Sequence, residues 1–155
     1  MRTHLRQIRE REPRKRAPSR DDLRKLPTVR DHMDTIVPTV HPWMNIHDAV
    51  TFLLSEHRTG APVVDEDGAL VGILTEYDCL RLLAVGDADL QEAQGQVADY
   101  MTLDVVTVEP QTDIYYAAGL FLRHEFRRLP VLYEGRLVGA ITRFDILRAI
   151  ELNRD

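Results

Sequence analysis

Two stretches of the chain set apolar side chains at the same helical spacing. Ile46, Ala49, Val50, Leu53 and Leu54 fall at i, i+3, i+4, i+7 and i+8, one face of an amphipathic helix. Ile114, Ala117, Ala118, Phe121 and Leu122 repeat that pattern. After each stretch the period changes from helical to extended. Short apolar runs at 61–65 and 69–74, joined by DEDG, predict a β-hairpin, and runs at 129–133 and 136–141, joined by YEG, predict another. Closing helices are expected from Thr75 through LRLL and from Thr142 through LRAI. With a short strand before the first helix, each half reads strand, helix, strand, strand, helix. The expected class is α+β.

The two halves also repeat as sequence. VRDHM at 29–33 matches VADYM at 97–101, and TVHP at 39–42 matches TVEP at 107–110. APVVDEDG at 61–68 matches LPVLYEG at 129–135 with one residue deleted, and LVGILTEYDCL at 70–80 matches LVGAITRFDIL at 137–147. Register held over this length outranks local propensity as evidence. The reading gives a basic arm at 1–28, partly helical or flexible, then repeats at 29–84 and 97–153 joined by a polar connection at 85–96. Either copy alone is short of core, so two copies packed about a pseudo-twofold axis are expected.

Composition narrows this picture. The chain has 155 residues, of which 44% are hydrophobic, room for one compact domain or two small repeats sharing a core. No apolar run approaches the roughly 18–20 residues that span a bilayer, and the basic N-terminus lacks the apolar segment of a secretory signal. Cys79 is the only cysteine, which excludes an intramolecular disulfide and a CxxC metal site. A cytoplasmic protein without membrane association is expected. Net charge is −5, but residues 1–30 hold eleven Lys or Arg against four Asp or Glu, a balance of +7, and the remainder carries −12. In the arm, SRDD at 19–22 has the form of a helix start through Leu26. Arg14, Lys15 and Arg16 suggest nucleic-acid binding, but no aromatic residue is interleaved with them, so an arm that is solvated or folded over the acidic body is favoured.

The candidate chemistry lies in GILTEYD at 72–78 and GAITRFD at 139–145. A Thr with an acid three residues on is a capping box with Asp in place of Glu. The same geometry suits a ligand. A carboxylate can accept from two vicinal hydroxyls, as on ribose. Free amides at a helix N-terminus can donate to a phosphate or ribose oxygen. Gly72 and Gly139 would leave room for a ligand to approach the strand. Capping and binding are compatible.

The order of D-h-M, T-V-x-P, amphipathic helix, PVV and L-V-G-h-h-T-x-x-D, with h apolar, resembles the CBS domain; two in tandem resemble a CBS pair, or Bateman module, over residues 29–153. The resemblance implies a regulatory module that binds AMP, ADP, ATP, S-adenosylmethionine or a dinucleotide between the repeats, and pairing into a homodimer. It also implies clefts assembled across copies. In the first, Thr75 and Asp78 would face Val105, Val106, Arg127 and Arg128; in the second, Thr142 and Asp145 would face Val37, Arg58 and Thr59. Apolar strand residues would sandwich an adenine. Arg127 and Arg128, at positions where related modules contact phosphate, would make the first cleft prefer phosphorylated adenosine, with AMP or ATP foremost. A solvated helix end is the competing reading of this pair.

Other residues point elsewhere. The six histidines lack HExxH, and His47 and His57 do not share a helix face, so no metal site is expected. Trp43 suits a partner contact or packing over the domain edge. Tyr77 and Phe144 suit core or dimer packing, and Cys79 reads as a small buried apolar residue. No nucleophile motif, P-loop, dinucleotide fingerprint or paired carboxylates appear, so a non-enzyme with no catalytic residue or catalytic cofactor is expected. Two alternatives to ligand sensing remain: a dimerisation scaffold without a ligand, and an arm-driven binder of nucleic acid or an acidic protein partner.

Overall fold

A computed structural model describes residues 26–84 and 95–154. Residues 1–25 of the basic arm, with Arg14, Lys15, Arg16 and all but the last residue of the expected helix at 19–26, and residues 85–94 of the polar connection therefore lie outside the described residues. Ten elements follow in order: α1 (Val29–His32), α2 (Ile46–Ser55), β1 (Gly60–Val64), β2 (Leu70–Thr75), α3 (Glu76–Ala84), α4 (Val97–Tyr100), α5 (Ile114–Arg123), β3 (Arg128–Tyr133), β4 (Arg136–Thr142) and α6 (Arg143–Leu152). Among the described residues no helix is long and apolar enough to cross a membrane.

β1 pairs antiparallel with β2, and β3 with β4, as two separate two-stranded sheets. Both hairpins shift register at matching places, between Val63 and Val64 and between Val131 and Leu132. The one-residue deletion lies in their turns. In the longer turn Asp65 Oδ1 accepts from the amides of Asp67 and Ala69 at 2.9 and 3.0 Å. The shorter one turns on Glu134 and Gly135, both at positive φ (50° and 78°), as a tight two-residue hairpin requires. The strand expected before each long helix is reduced to one parallel bridge, Val40 to Val63 and Val108 to Val131. Each bridge rests on two backbone hydrogen bonds, Val40 N to Pro62 O and Val64 N to Val40 O (both 3.0 Å) in the first repeat, and Val108 N to Pro130 O (3.0 Å) and Leu132 N to Val108 O (2.8 Å) in the second.

The long helices bury a narrower stripe than the spacing suggests. Ile46, Ala49 and Leu53 are buried, as are Ile114, Ala117 and Leu120. Leu54 and Leu122, expected on the inner face, are 71% and 89% exposed. Each helix meets its hairpin along one seam, and the i+8 position rotates past it. The cores then cross the repeat boundary. Val29, at the head of the first repeat, packs with Val108, Ile114, Leu129 and Ile141 of the second. Val97, at the head of the second, packs with Val40, Ile46, Ala61 and Leu74 of the first. Backbone bonds hold this exchange in equivalent pairs: Val29 N to Thr112 O (2.8 Å) answers Val97 N to Met44 O (2.9 Å), and Arg30 N to Pro110 O (2.8 Å) answers Ala98 N to Pro42 O (2.9 Å). The hairpins join directly as well, Leu70 N to Gly135 O (3.2 Å) and Leu137 N to Gly68 O (3.0 Å). The pseudo-twofold relation is thus built from hydrogen bonds and not only from shape.

Gly72 and Gly139 belong to this exchange. A Cβ on Gly72 would sit 2.9 Å from Met101 Sδ and from the Thr102 carbonyl; on Gly139 it would sit 2.7 Å from Met33 Sδ and 2.8 Å from the Asp34 carbonyl. The space next to each glycine's Cα is filled by the leading segment of the other repeat, while Gly139 also lines a cavity of ≈ 200 Å³ with Thr35, Val37 and Thr39.

Candidate functional site

Both TxxD units form capping boxes. Thr75 N donates to Asp78 Oδ2 at 2.9 Å, Thr75 Oγ1 donates to the same oxygen at 3.0 Å, and Asp78 N donates back to Thr75 Oγ1 at 3.2 Å. Thr142 N donates to Asp145 Oδ2 at 2.9 Å, and Asp145 N donates to Thr142 Oγ1 at 3.1 Å. Each box satisfies amides that a helix start leaves open.

The two boxes differ in what lies behind them. The Thr102 hydroxyl reaches Asp78, 3.0 Å from Oδ1 and 3.3 Å from Oδ2, so both carboxylate oxygens are engaged and the residue is only 4% exposed. Thr102 comes from the swapped segment, bridged to Ile73. In the equivalent place, bridged to Ala140, stands Asp34, whose Oδ1 accepts from Ile36 N at 2.9 Å. Oδ1 of Asp145 accepts no hydrogen bond among the described residues, and Asp145 is half-buried.

A cleft of ≈ 290 Å³ opens between the hairpins, near the lower size limit of small-molecule pockets. The first repeat supplies Val37, Thr59, Ala61, Pro62, Ile73, Thr75, Glu76 and Tyr77, and the second supplies Glu125, Phe126, Arg127, Arg128, Pro130 and Ala140. The structure thus brings Thr75, Arg127 and Arg128, expected in one cleft, together with Val37 and Thr59, expected in the other. Asp78, Val105, Val106, Thr142, Asp145 and Arg58 do not line this cavity. Val106 packs against the second core instead. The carboxylates in the wall are those of Glu76 and Glu125, which no TxxD pattern marks, because their positions gain meaning only when the repeats are docked.

Arg128 opens β3 opposite Thr142, and Arg127 precedes the strand, so neither lies at a helix end. Burial lowers the Arg128 pKa first, and the nearby Arg58 cation lowers it further; the Asp34 and Asp145 carboxylates act in the opposite direction. Cations of both repeats therefore meet beside the cleft. Among the described residues no carboxylate lies within 4.0 Å of Arg58, Arg127 or Arg128.

The other singled-out residues sort by packing. Trp43 stacks on His41 (centroids 4.6 Å apart, planes at 3°), whose Nδ1 lies 2.8 Å from the Val64 carbonyl. Trp43 itself remains half exposed. Tyr77 and Phe144 are exposed rather than core residues, because each lies on the outer side of a helix turn whose other side holds the capping carboxylate. Cys79 is part-exposed, not fully buried, and packs at the rim of the first core.

Comparison with known proteins agrees with this architecture. A family model of the CBS domain matches residues 29–85 and 97–152. Protein MJ1225 of Methanocaldococcus jannaschii is 34% identical over 79% of the chain, which spans only 42% of that relative. The crystal structure of Arabidopsis thaliana CBSX2 in complex with AMP superposes with TM-score 0.70 at 33% identity, covering 82% of this chain and 98% of that one. The CBS domain pair of protein MJ0100, in complex with 5′-methylthioadenosine and S-adenosyl-L-methionine, gives TM-score 0.67 at 27% identity, covering 83% and 99%.

Proposed function

Because the chain belongs to the CBS-domain family, with two CBS domains in tandem, we propose that it is a regulatory module that takes an adenosine-containing ligand between its hairpins. The observation that carries this reading is the mostly apolar cleft shared by both repeats, with Arg127 and Arg128 in its wall and, among the described residues, no carboxylate within 4.0 Å of either. Val37, Ile73, Pro130 and Ala140 offer surfaces that hold a flat base by burial and dispersion. Arg127 and Arg128 offer forked donors for phosphate, with Arg58 adding positive potential. Thr59, Glu76 and Glu125, in the same wall, carry oxygens that can accept from ribose hydroxyls. AMP in the CBSX2 complex, and the two adenosine compounds in the MJ0100 complex, support the ligand class.

The TxxD carboxylates enter this reading unequally. Asp145 keeps an oxygen for a ligand at the margin of the site, whereas Asp78 must first release the Thr102 hydroxyl. Val105 and Val106 have no part in the cleft. A ligand touching both hairpins binds one relative orientation of the repeats better than another, and that difference is what a switch requires. The module then acts on another activity rather than catalysing a reaction itself. Tyr77 and Leu80 on α3, matched by Phe144 and Leu147 on α6, form exposed apolar faces suited to pairing with a second copy.

Calorimetry with AMP, ADP, ATP and S-adenosylmethionine tests the proposal, alongside thermal unfolding. A ligand at 100 times its Kd adds about 2.7 kcal/mol of stability. Arg128→Ala should weaken AMP binding by roughly tenfold to a hundredfold, the range for hydrogen bonds to charged groups. Thr59→Trp should block the cleft while leaving the circular dichroism spectrum unchanged. Absence of binding by all four compounds would overturn the reading.

A further inference from the structure

A second cavity adjoins the central cleft and has the opposite character. It has a volume of ≈ 650 Å³ and is lined by the end of α5, the segment leading into β3 and the first residue of α6. Glu125, Phe126 and Arg127 line both cavities, so their walls are continuous there. Arg123, His124, Arg127 and Arg143 put three guanidinium groups and an imidazole around this groove, against the single carboxylate of Glu125.

This concentration is unusual for the body of the chain. Residues 31–155 carry nine basic side chains, all arginine, against twenty-one acidic ones. Arg123, Arg127, Arg128 and Arg143 nevertheless gather along one run of wall. A merely solvated surface would disperse them or match them with some of the many carboxylates. Among the described residues no carboxylate lies within 4.0 Å of Arg123, Arg127 or Arg143. Two of the groups are also held in place. Arg123 Nε donates to the Gly119 carbonyl at 3.2 Å, which fixes the guanidinium at the helix end with its terminal nitrogens to spare. His124 stacks on Phe126, ring centroids 4.8 Å apart.

We propose that this groove is a polyphosphate subsite: a nucleotide seated in the central cleft passes its phosphate chain by Arg127 into the groove, where Arg123 and Arg143 bind the outer phosphates. The inference rests on the central cleft holding the nucleoside. Guanidinium forks match the spacing of phosphate oxygens, and each added phosphate brings charge to cations that have no carboxylate within 4.0 Å among the described residues. The groove therefore selects adenosine di- and triphosphates over AMP and over S-adenosylmethionine, whose sulfonium end is positive. Chain length rather than the base becomes the quantity sensed.

The test is the ratio of ATP to AMP affinity, measured by calorimetry on the full chain and on the Arg123→Ala/Arg143→Ala double variant. Both positions are exposed, so the fold should persist, and circular dichroism checks that it does. The expected wild-type ratio is about tenfold or more, the effect of one or two charge-assisted hydrogen bonds, and the double variant should bring it close to one. Inorganic triphosphate should compete with ATP more strongly than with AMP. A wild-type ratio near one, or a ratio unchanged in the double variant, would overturn the subsite while leaving AMP binding in the central cleft intact. Failure of AMP and ATP alike to bind would instead remove the central reading and the subsite with it.

Discussion

The hydroxyl of Thr102 lies 3.0 Å from Oδ1 of Asp78, and Asp34 occupies the equivalent place beside the other capping box. One repeat closes its carboxylate with a neutral donor brought over by the exchanged segment. The other sets a second carboxylate there, and Oδ1 of Asp145 accepts no hydrogen bond among the described residues. Two sequence units that match at Thr and Asp therefore differ in chemistry, and the difference arises outside both of them.

Thr102→Val tests that closure. It removes a donor from a carboxylate buried to 4% exposure, and stranding such a group costs about 1–3 kcal/mol. Urea unfolding should show the loss as a lower midpoint with unchanged slope. Thr102→Ser keeps the hydroxyl and should stay near wild type. An unaltered midpoint in the valine variant would mean that the bond contributes nothing.

Gly139→Ala tests the exchange of leading segments. The added methyl would meet Met33 Sδ at 2.7 Å and the Asp34 carbonyl at 2.8 Å. The thioether can move, but the backbone carbonyl is tied to Ala140 N at 2.9 Å. Overpacking of this kind costs about 1–3 kcal/mol. Gly119→Ala provides the contrast. Its methyl meets only the end of the Arg123 side chain, at 3.4 Å, and replacing a mid-helix glycine should add about 0.5–1 kcal/mol. Thermal unfolding should move in opposite directions for the two variants.

Cys79 carries a pH signature. Burial raises its thiol pKa, and the neighbouring Asp78 carboxylate raises it further. The folded protein holds that proton more tightly than the unfolded chain does. The contribution to stability is complete below the unfolded pKa and is lost as pH rises through the folded one. At mildly alkaline pH the thiolate is the reactive form, so a thiol-specific reagent should modify the native protein more slowly than the urea-unfolded protein. Equal rates would show that the site is open and its thiol unperturbed.

Much of the fold was legible because repetition and periodicity are local properties. The spacing of Ile46, Ala49 and Leu53, and of Ile114 and Ala117, marked the long helices, and the apolar runs flanking DEDG and YEG marked the hairpins. Thr75 and Thr142 marked the starts of the closing helices. Leu54 and Leu122 share that periodicity and yet are exposed, since periodicity shows which residues share a face but not how wide a strip the neighbour covers. Gly72 and Gly139 show only a missing side chain in the sequence; the Met and carbonyl atoms that crowd its place come from the other repeat.

The site was legible only as a set of residue types. The chain by itself determined two copies, their capping boxes and the arginines that precede the second PV pair, because each is fixed by neighbours within a turn or a hairpin. Only the tertiary structure decided which copy meets which. Val29 and Val97 enter each other's repeats, Thr102 closes Asp78, and Thr59 meets Arg127 and Arg128 across one cleft. Those juxtapositions join residues separated by tens of positions through hydrogen bonds and buried apolar surface, and no local pattern specifies a partner at that distance.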